Sequence, residues 1–389
     1  MTKKWSSRLT FFAFVVLMVG LGSNDSLRGI FSTIFQEHFS LTTTQLGLIV
    51  TASYIGNLVF LLVGGNLSTR FSKKRVLQVL ILIWMAALAL FAFTSNYTVL
   101  LIGMALALGS STLLNTTMNL ITPLLFATAP GFFVNFLFFT QEIGTSGSQY
   151  ILGSHADGFD FWQHTNLVLL ILGAVAFVLL LFCNVPEEAA DPADTPAQKG
   201  GYDWRIIVPY VLVFGFYFIA EHGVMNWMVA YGVDGLGLPQ ASAAKYLSVF
   251  FGGMMIGRLC LSPLVDKLGA LKSLAAFGGV SCVLYLIGSL GGAVTMPVWA
   301  ISGLSFSILY PTLVMSIRLY FPAQQVSGAA GTILSIASLA DILFNVGFGK
   351  LVDMAGYAVS IRVLPLSVLA FFVVFMLFTK FCKPTQKLK

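Results

Sequence analysis

The chain has 389 residues, of which 57% are hydrophobic and 9% are charged, and its formal net charge is +6. A soluble domain carries roughly 25% charged residues, so this chain lacks the polar surface that a soluble enzyme needs. Its four cysteines lie far apart in or beside apolar runs, which excludes a secreted disulfide scaffold and a cysteine metal site. The composition indicates a polytopic α-helical membrane protein.

Twelve apolar segments follow one another along the chain, each near the roughly 20 residues that a membrane-spanning helix needs. We place the spans near residues 10–33, 45–67, 76–94, 98–121, 131–153, 165–184, 206–232, 243–265, 271–291, 295–317, 326–348 and 358–380. Continuous apolar runs argue against an outer-membrane barrel, whose strands are short segments of alternating hydrophobicity. The sequence therefore predicts an all-α membrane protein with twelve transmembrane helices.

The longest polar stretch follows the sixth span and is rich in proline, alanine and acidic residues. We interpret it as a flexible cytoplasmic linker, residues 186–205, between an N-terminal six-helix bundle, residues 1–185, and a C-terminal one, residues 206–389. The two halves also resemble each other, because residues 67–72 align with 264–269 and residues 24–25 with 221–222. Such parallel repeats predict two bundles around a central site that opens alternately to each side.

Basic residues concentrate on one side of the membrane if the spans alternate in direction. That side holds Lys3, Lys4, Arg8, Arg70, Lys73, Lys74, Arg75, Lys199, Arg205, Lys267, Lys272, Lys380, Lys383, Lys387 and Lys389. The opposite side holds Lys245, Lys350 and Arg362. By the positive-inside rule we expect an integral protein of the plasma membrane, a bacterial inner membrane, with both termini in the cytoplasm. The positive charge is thus an orientation signal and predicts no nucleic-acid partner.

A motif between the second and third spans recurs in the second half of the chain. Residues 65–75 read GNLSTRFSKKR, and residues 266–269 read DKLG. A glycine, an acidic–basic pair and a basic run resemble the signature of the major facilitator superfamily, where they latch the cytoplasmic ends of helices. Thr69 and Ser72 replace the usual aspartate and glycine, so the resemblance implies a latch of Arg70, Asp266 and Lys267 that depends more on the C-terminal copy.

Further segments resemble the fucose-permease type of sugar:proton symporters within this superfamily. They are residues 24–25, 45–49, 53–56, 109–119, 141–147, 221–231 and 305–312. The resemblance implies a transporter of two pseudo-symmetric six-helix bundles. The family carries a glutamate in the fourth helix that is important for the substrate, and Asn115 stands at the matching position. An amide can hydrogen-bond a sugar hydroxyl but carries no proton, so Asp25 becomes the main proton-coupling candidate.

Ionisable side chains inside the spans are informative, because a charge at the bilayer centre costs on the order of 2.5–3.5 kcal/mol. We single out Asp25, Arg28, Glu142, Glu221, His222 and Asp341. Asp25 and Arg28 share a helix face, and we interpret Asp25 as a proton carrier whose partner changes between Arg28 and solvent. A static ion pair is the alternative. Glu221 is the second proton-coupling candidate, whereas for Glu142 and Asp341 we favour structural roles as inter-helix partners.

Polar and aromatic residues at helical spacing predict a substrate path. Asn115 and Asn119 lie one turn apart, as do Trp227 and Tyr231, and an aromatic surface beside polar groups suits a sugar ring. The alternatives are polar contacts between helices and an interfacial aromatic belt. The residues expected to bind substrate are Asn24, Asn115, Asn119, Gln141, Asn226, Trp227 and Tyr231.

The chain shows no nucleotide-binding lysine motif, zinc-protease motif or nucleophile elbow, so we predict no enzyme activity, no cofactor and no metal. We expect a secondary active transporter that moves a small hydroxylated solute, with a sugar as the candidate, by proton-coupled symport and alternating access. Its partners are the solute, protons and the lipid bilayer, and it acts as a monomer. A proton-driven exporter of amphipathic drugs or metabolites and a transporter-like solute sensor remain as alternatives.

Overall fold

The computed structural model describes residues 3–126, 130–186 and 203–384. It describes the backbone alone at residues 3–6, 63–70, 123, 130–132, 135, 266, 323, 324, 327 and 341. The side chains of Arg70, Asp266 and Asp341, and residues 187–202 of the predicted linker, therefore lie outside the described residues. The chain divides into two compact units, Met1–Asp191 and Pro192–Lys389, and this division falls inside the predicted linker. The exact domain boundaries stay predictions.

The described part of the N-terminal unit is helical. Its elements are α1 (Lys3–Ile30), α2 (Ser32–His38), α3 (Thr43–Arg70), α4 (Lys73–Phe93), α5 (Tyr97–Leu125), α6 (Pro130–Ile151) and α7 (Phe159–Leu181). The side chain of Asn96 accepts hydrogen bonds from the backbone N–H groups of Thr98 and Val99, so it caps the start of α5. Within this unit α1 packs on α5, α6 and α7, which places its polar residues beside those of α5 and α6.

The C-terminal unit is also helical over its described residues. Its elements are α8 (Trp204–Ala230), α9 (Gln240–Leu268), α10 (Ala270–Leu290), α11 (Met296–Ile301), α12 (Gly303–Phe306), α13 (Leu309–Ser316), α14 (Ala323–Ala355), α15 (Tyr357–Ser360) and α16 (Val363–Phe381). One turn of π-helix, Tyr231–Gly235, continues α8. Here α8 packs on α14 and α16, and α9 packs on α11 and α12.

The membrane-spanning character agrees with the sequence. Among the described residues, 11 helical segments are long and apolar enough to cross a membrane. The 22-residue α6 coincides with the remaining predicted span, the fifth. The predicted all-α membrane fold is therefore confirmed.

The predicted tenth span is broken rather than continuous, because it comprises α11, α12 and α13. Pro311 has no N–H to donate to the carbonyl of Ser307, and its ring crowds that carbonyl, so the helix breaks between α12 and α13. The hydroxyls of Ser302, Ser305 and Ser307 donate back to carbonyls one turn earlier, which favours a bend in a helix.

Two glycines bring the backbones of α1 and α6 into direct contact. A Cβ atom on Gly22 would lie 2.0 Å from the carbonyl oxygen of Gln141, and one on Gly144 would lie 2.1 Å from that of Val19. Small residues permit such close approach of helices in membranes. The Thr145 hydroxyl donates to the Gly22 carbonyl at 3.2 Å across this contact. The contact fixes the end of α1 that carries Asn24 and Asp25 against α6.

Candidate functional site

Three amide side chains form a hydrogen-bonded row in the N-terminal unit. The Nδ2 of Asn119 donates to Oδ1 of Asn115 at 2.6 Å, and the Nδ2 of Asn115 donates to Oε1 of Gln141 at 2.7 Å. We call these three residues the amide row. All three are half-buried, and Oδ1 of Asn119 has no hydrogen-bond partner among the described residues. Because amides both donate and accept, the row can hydrogen-bond a hydroxylated ligand.

One face of α5 links Asp25 to the amide row. The Ser111 hydroxyl lies 3.3 and 3.4 Å from the two carboxylate oxygens of Asp25. Ser111 precedes Asn115 by one helical turn, so both residues lie on the same face of α5. The face of α5 that carries Ser111 and Asn115 therefore connects the carboxylate of α1 with the amide of Gln141 on α6.

Arg28 lies one turn after Asp25 but contacts a different helix. Its side chain is 4% exposed, and Cζ lies 5.7 Å from the ring centroid of Tyr54 on α3. Among the described residues, Nε of Arg28 has no hydrogen-bond partner. The alternation of Asp25 between Arg28 and solvent stays a prediction. Asn24, adjacent to Asp25, is 6% exposed and therefore buried in this structure.

Glu221 on α8 lies among tyrosines in the C-terminal unit. Its carboxylate interacts electrostatically with the phenol groups of Tyr217, Tyr285 and Tyr310. Arg258 on α9 interacts with Tyr217 and Tyr310 as well, so a carboxylate and a guanidinium share one neighbourhood. The sequence analysis missed Arg258. The signal that could have found it is a single arginine within the predicted eighth span.

The predicted aromatic surface of α8 is enclosed by the C-terminal unit. Trp227 is 0% exposed, and its indole N–H donates to Oδ1 of Asn345 on α14 at 2.8 Å. Tyr231 is 3% exposed and meets Trp299 edge to face at 6.2 Å. Asn226 is also buried. These contacts hold α8 and the π-helical turn against their neighbours, and a role in solute binding stays a prediction for Asn226, Trp227 and Tyr231.

The predicted cytoplasmic latch is described only at Lys267, which is exposed near the end of α9. A different basic residue joins two helix ends on that side. Lys74, at the start of α4, donates to the carbonyls of Leu181 at 3.1 Å and Cys183 at 2.7 Å, at the end of α7. A lysine at a helix C-terminus satisfies unpaired carbonyls and the helix dipole. Lys74 therefore acts as a cap between α4 and α7.

Comparison with known proteins identifies the fold and the family. The family model described as Major Facilitator Superfamily matches residues 10–344 of the chain. The chain is 24% identical over 333 residues to the L-fucose-proton symporter of Escherichia coli (strain K12), covering 74% of this chain and 75% of that protein. It is 26% identical over 341 residues to the glucose/galactose transporter of Brucella abortus biovar 1 (strain 9-941), covering 82% and 81%. The crystal structure of a D-xylose-proton symporter shares the fold with a TM-score of 0.78 and 16% identity over 99% of both chains. These similarities confirm the resemblance that the motifs indicated.

Proposed function

We propose that this chain, which belongs to the Major Facilitator Superfamily, is a proton-coupled sugar symporter that works by alternating access. The members of this family are membrane transporters and not enzymes. Relatives described as a fucose-proton symporter and a glucose/galactose transporter support a sugar as the solute. The basic loops support a plasma membrane location, a bacterial inner membrane, with cytoplasmic termini. The protein binds the solute and protons and acts as a monomer.

The amide row is the single observation that carries this proposal. A sugar presents several neutral hydroxyl groups, each of which donates and accepts hydrogen bonds, as amides also do. Binding sites for small molecules combine a largely apolar wall with a few well-placed polar groups, and the half-buried row supplies such groups within an apolar helix bundle. Asn24 on α1 extends the proposed site.

Asp25 is the proposed proton carrier because its surroundings suit both of its charge states. The hydroxyl of Ser111 can donate to an ionised carboxylate and accept from a protonated one. An uncompensated charge in the membrane is costly, so a carboxylate that gains and loses a proton gains and loses that cost during transport. Glu221 is the second proton-coupling candidate, in the C-terminal unit.

Uptake into proteoliposomes tests the proposal. With an acidic outside pH, we expect labelled neutral sugars or their acids to accumulate above equilibrium, and a protonophore to abolish the accumulation. Asp25→Asn removes the titratable group, so we expect gradient-driven accumulation to be lost while exchange of labelled for unlabelled solute continues. Unchanged accumulation in this variant assigns the proton to another residue. Extrusion of amphipathic dyes supports the exporter, and binding without flux supports the sensor.

A further inference from the structure

Arg28 is a buried cation, and the described residues do not satisfy all of its hydrogen-bond donors. Its side chain is 4% exposed, and Nε has no hydrogen-bond partner among the described residues. Its Cζ lies over the Tyr54 ring, 5.7 Å from the centroid, and an aromatic ring attracts a cation without accepting a conventional hydrogen bond from it. The N–H donors of a guanidinium point outward in its plane, so a contact with a ring does not supply the acceptor that Nε lacks. A buried donor without an acceptor is costly, and a buried charge without a counter-charge more so.

The neighbouring carboxylate compensates this charge only in one state of the transport cycle. Asp25 lies one helical turn before Arg28, and its two oxygens face the Ser111 hydroxyl on α5. When Asp25 binds the transported proton, it becomes neutral and Arg28 keeps a full positive charge. A neutral sugar does not restore the balance, whereas an anionic solute does.

Arg258, an arginine within the span formed by α9, differs in this respect. Arg258 shares the neighbourhood of Tyr217 and Tyr310 with Glu221, so an acidic side chain of the same unit lies in its surroundings. For Arg28 the carboxylate on the same face of α1 is that of Asp25, the proposed proton carrier, so this counter-charge is lost in the proton-loaded state.

From these observations, and resting on the proposed function, we propose that the solute is a carboxylated sugar and that Arg28 binds its carboxylate. The planar guanidinium matches the two oxygens of a carboxylate in geometry and in charge. The amide row then forms hydrogen bonds with the hydroxyl groups of the same solute. This assignment narrows the substrate class from sugars in general to sugar acids.

The assignment also explains how proton and solute binding are coupled. A solute carboxylate on Arg28 and an ionised Asp25 repel each other, because Asp25 and Arg28 are neighbours on one face of α1, separated by roughly 5 Å along the helix axis. Protonation of Asp25 removes this repulsion, so each ligand favours the binding of the other, as linkage requires. One proton and one monoanion together carry no net charge. Transport is then electroneutral, whereas symport of a neutral sugar with a proton moves positive charge.

Matched pairs of solutes test the assignment in proteoliposomes of the full-length protein. We compare glucose with glucuronate and galactose with galacturonate under the same pH gradient, with the membrane potential clamped by potassium and valinomycin. We expect uptake of the acid to exceed that of its parent sugar by about tenfold or more, as expected for a lost charge-assisted contact. Uptake of the acid should not change when the clamped potential is reversed.

Variants of Arg28 supply the second readout. Arg28→Gln removes the cation and should lower uptake of the acid by about tenfold or more, whereas Arg28→Lys keeps the charge but loses the planar fork and should retain part of it. Arg205→Gln is the matched control, because Arg205 is exposed at the start of α8 and its removal should leave uptake unchanged. Thermal unfolding of the wild-type protein gives a measurement without variants, and the acid should raise Tm more than its parent sugar does.

The outcomes separate the two proposals. Potential-dependent accumulation of a neutral sugar without uptake of the acid, or uptake of the acid that Arg28→Gln leaves intact, overturns the inference while the proposed function stands. A wild-type protein that the acid does not stabilise also overturns it, even where Arg28→Gln fails to fold. If neither kind of solute accumulates under a pH gradient, the proposed function fails and the inference fails with it.

Discussion

Asn115 is the residue on which the amide row depends, because it accepts from Asn119 and donates to Gln141. The bond between Asn115 and Asn119 is predictable from the sequence, since residues four apart on a helix are neighbours. The bond to Gln141 is not, because it depends on how closely α5 and α6 approach. Arg258 was missed for a related reason: its significance lies in sharing a neighbourhood with Glu221, which spacing along the chain does not show.

We expect Asn115→Ala to weaken solute binding by roughly 10- to 100-fold. The change leaves Asn119 and Gln141 without their shared partner, and each hydrogen bond contributes about 0.5–1.5 kcal/mol. The KM for uptake measures this loss. Thr116→Ala is the control, because Thr116 is exposed on the same helix and donates to the Thr112 carbonyl. An unchanged KM together with a lower Tm for Asn115→Ala assigns the row to helix packing instead.

At the scale of elements, composition and apolar run length were sufficient to place the spans, because the bilayer thickness sets helix length. The break between α12 and α13 was not predicted, although Pro311 supplies a physical reason for it. Which helices come into close contact could not be predicted from the sequence either. Many glycines lie in the spans, and only the structure shows that Gly22 and Gly144 meet carbonyl groups across one interface.

Two glycines of α6 should respond differently to the same substitution. Gly144→Ala places a methyl group 2.1 Å from the Val19 carbonyl oxygen and forces α1 and α6 apart, and overpacking of this kind costs typically 1–3 kcal/mol. Gly147→Ala meets nothing within 4 Å and should stabilise the helix by up to about 1 kcal/mol. Thermal unfolding in detergent should therefore show a lower Tm for Gly144→Ala and an equal or higher one for Gly147→Ala. Equal decreases for both contradict the tight contact.

At the scale of the whole molecule, the sequence predicted more of the architecture than of the chemistry. Hydropathy and the family motifs lead to the same twelve-span transporter. Hydropathy reflects solvation of the spans by lipid, and the motifs reflect membership of the family. The site residues are scattered over α1, α5, α6 and α8, and their contacts arise only after folding. The sequence could therefore identify polar residues inside the membrane, but it could not show that the indole N–H of Trp227 donates its hydrogen bond to Asn345.

The orientation of the molecule is open to direct measurement. Val294 is 87% exposed between α10 and α11, and Lys383 is exposed after α16. In a cysteine-free background, a membrane-impermeant maleimide should label Val294→Cys in intact cells and Lys383→Cys only after the membrane is opened. This follows from the excess of lysine and arginine on the cytoplasmic side. The reverse labelling pattern contradicts the predicted orientation.

The amide row has no fixed sense of direction. If each of its three side-chain amides turns over by half a rotation, the oxygen and nitrogen atoms exchange places and the same two hydrogen bonds run from Gln141 towards Asn119. The exchange needs no movement of the backbone, since the two ends of an amide are nearly equal in size. Epimers differ in the direction of a hydroxyl group rather than in its chemistry. The amide row can therefore hydrogen-bond either epimer, with its two internal hydrogen bonds running in one direction or in the other. Discrimination between stereoisomers must therefore come from side chains that cannot reverse.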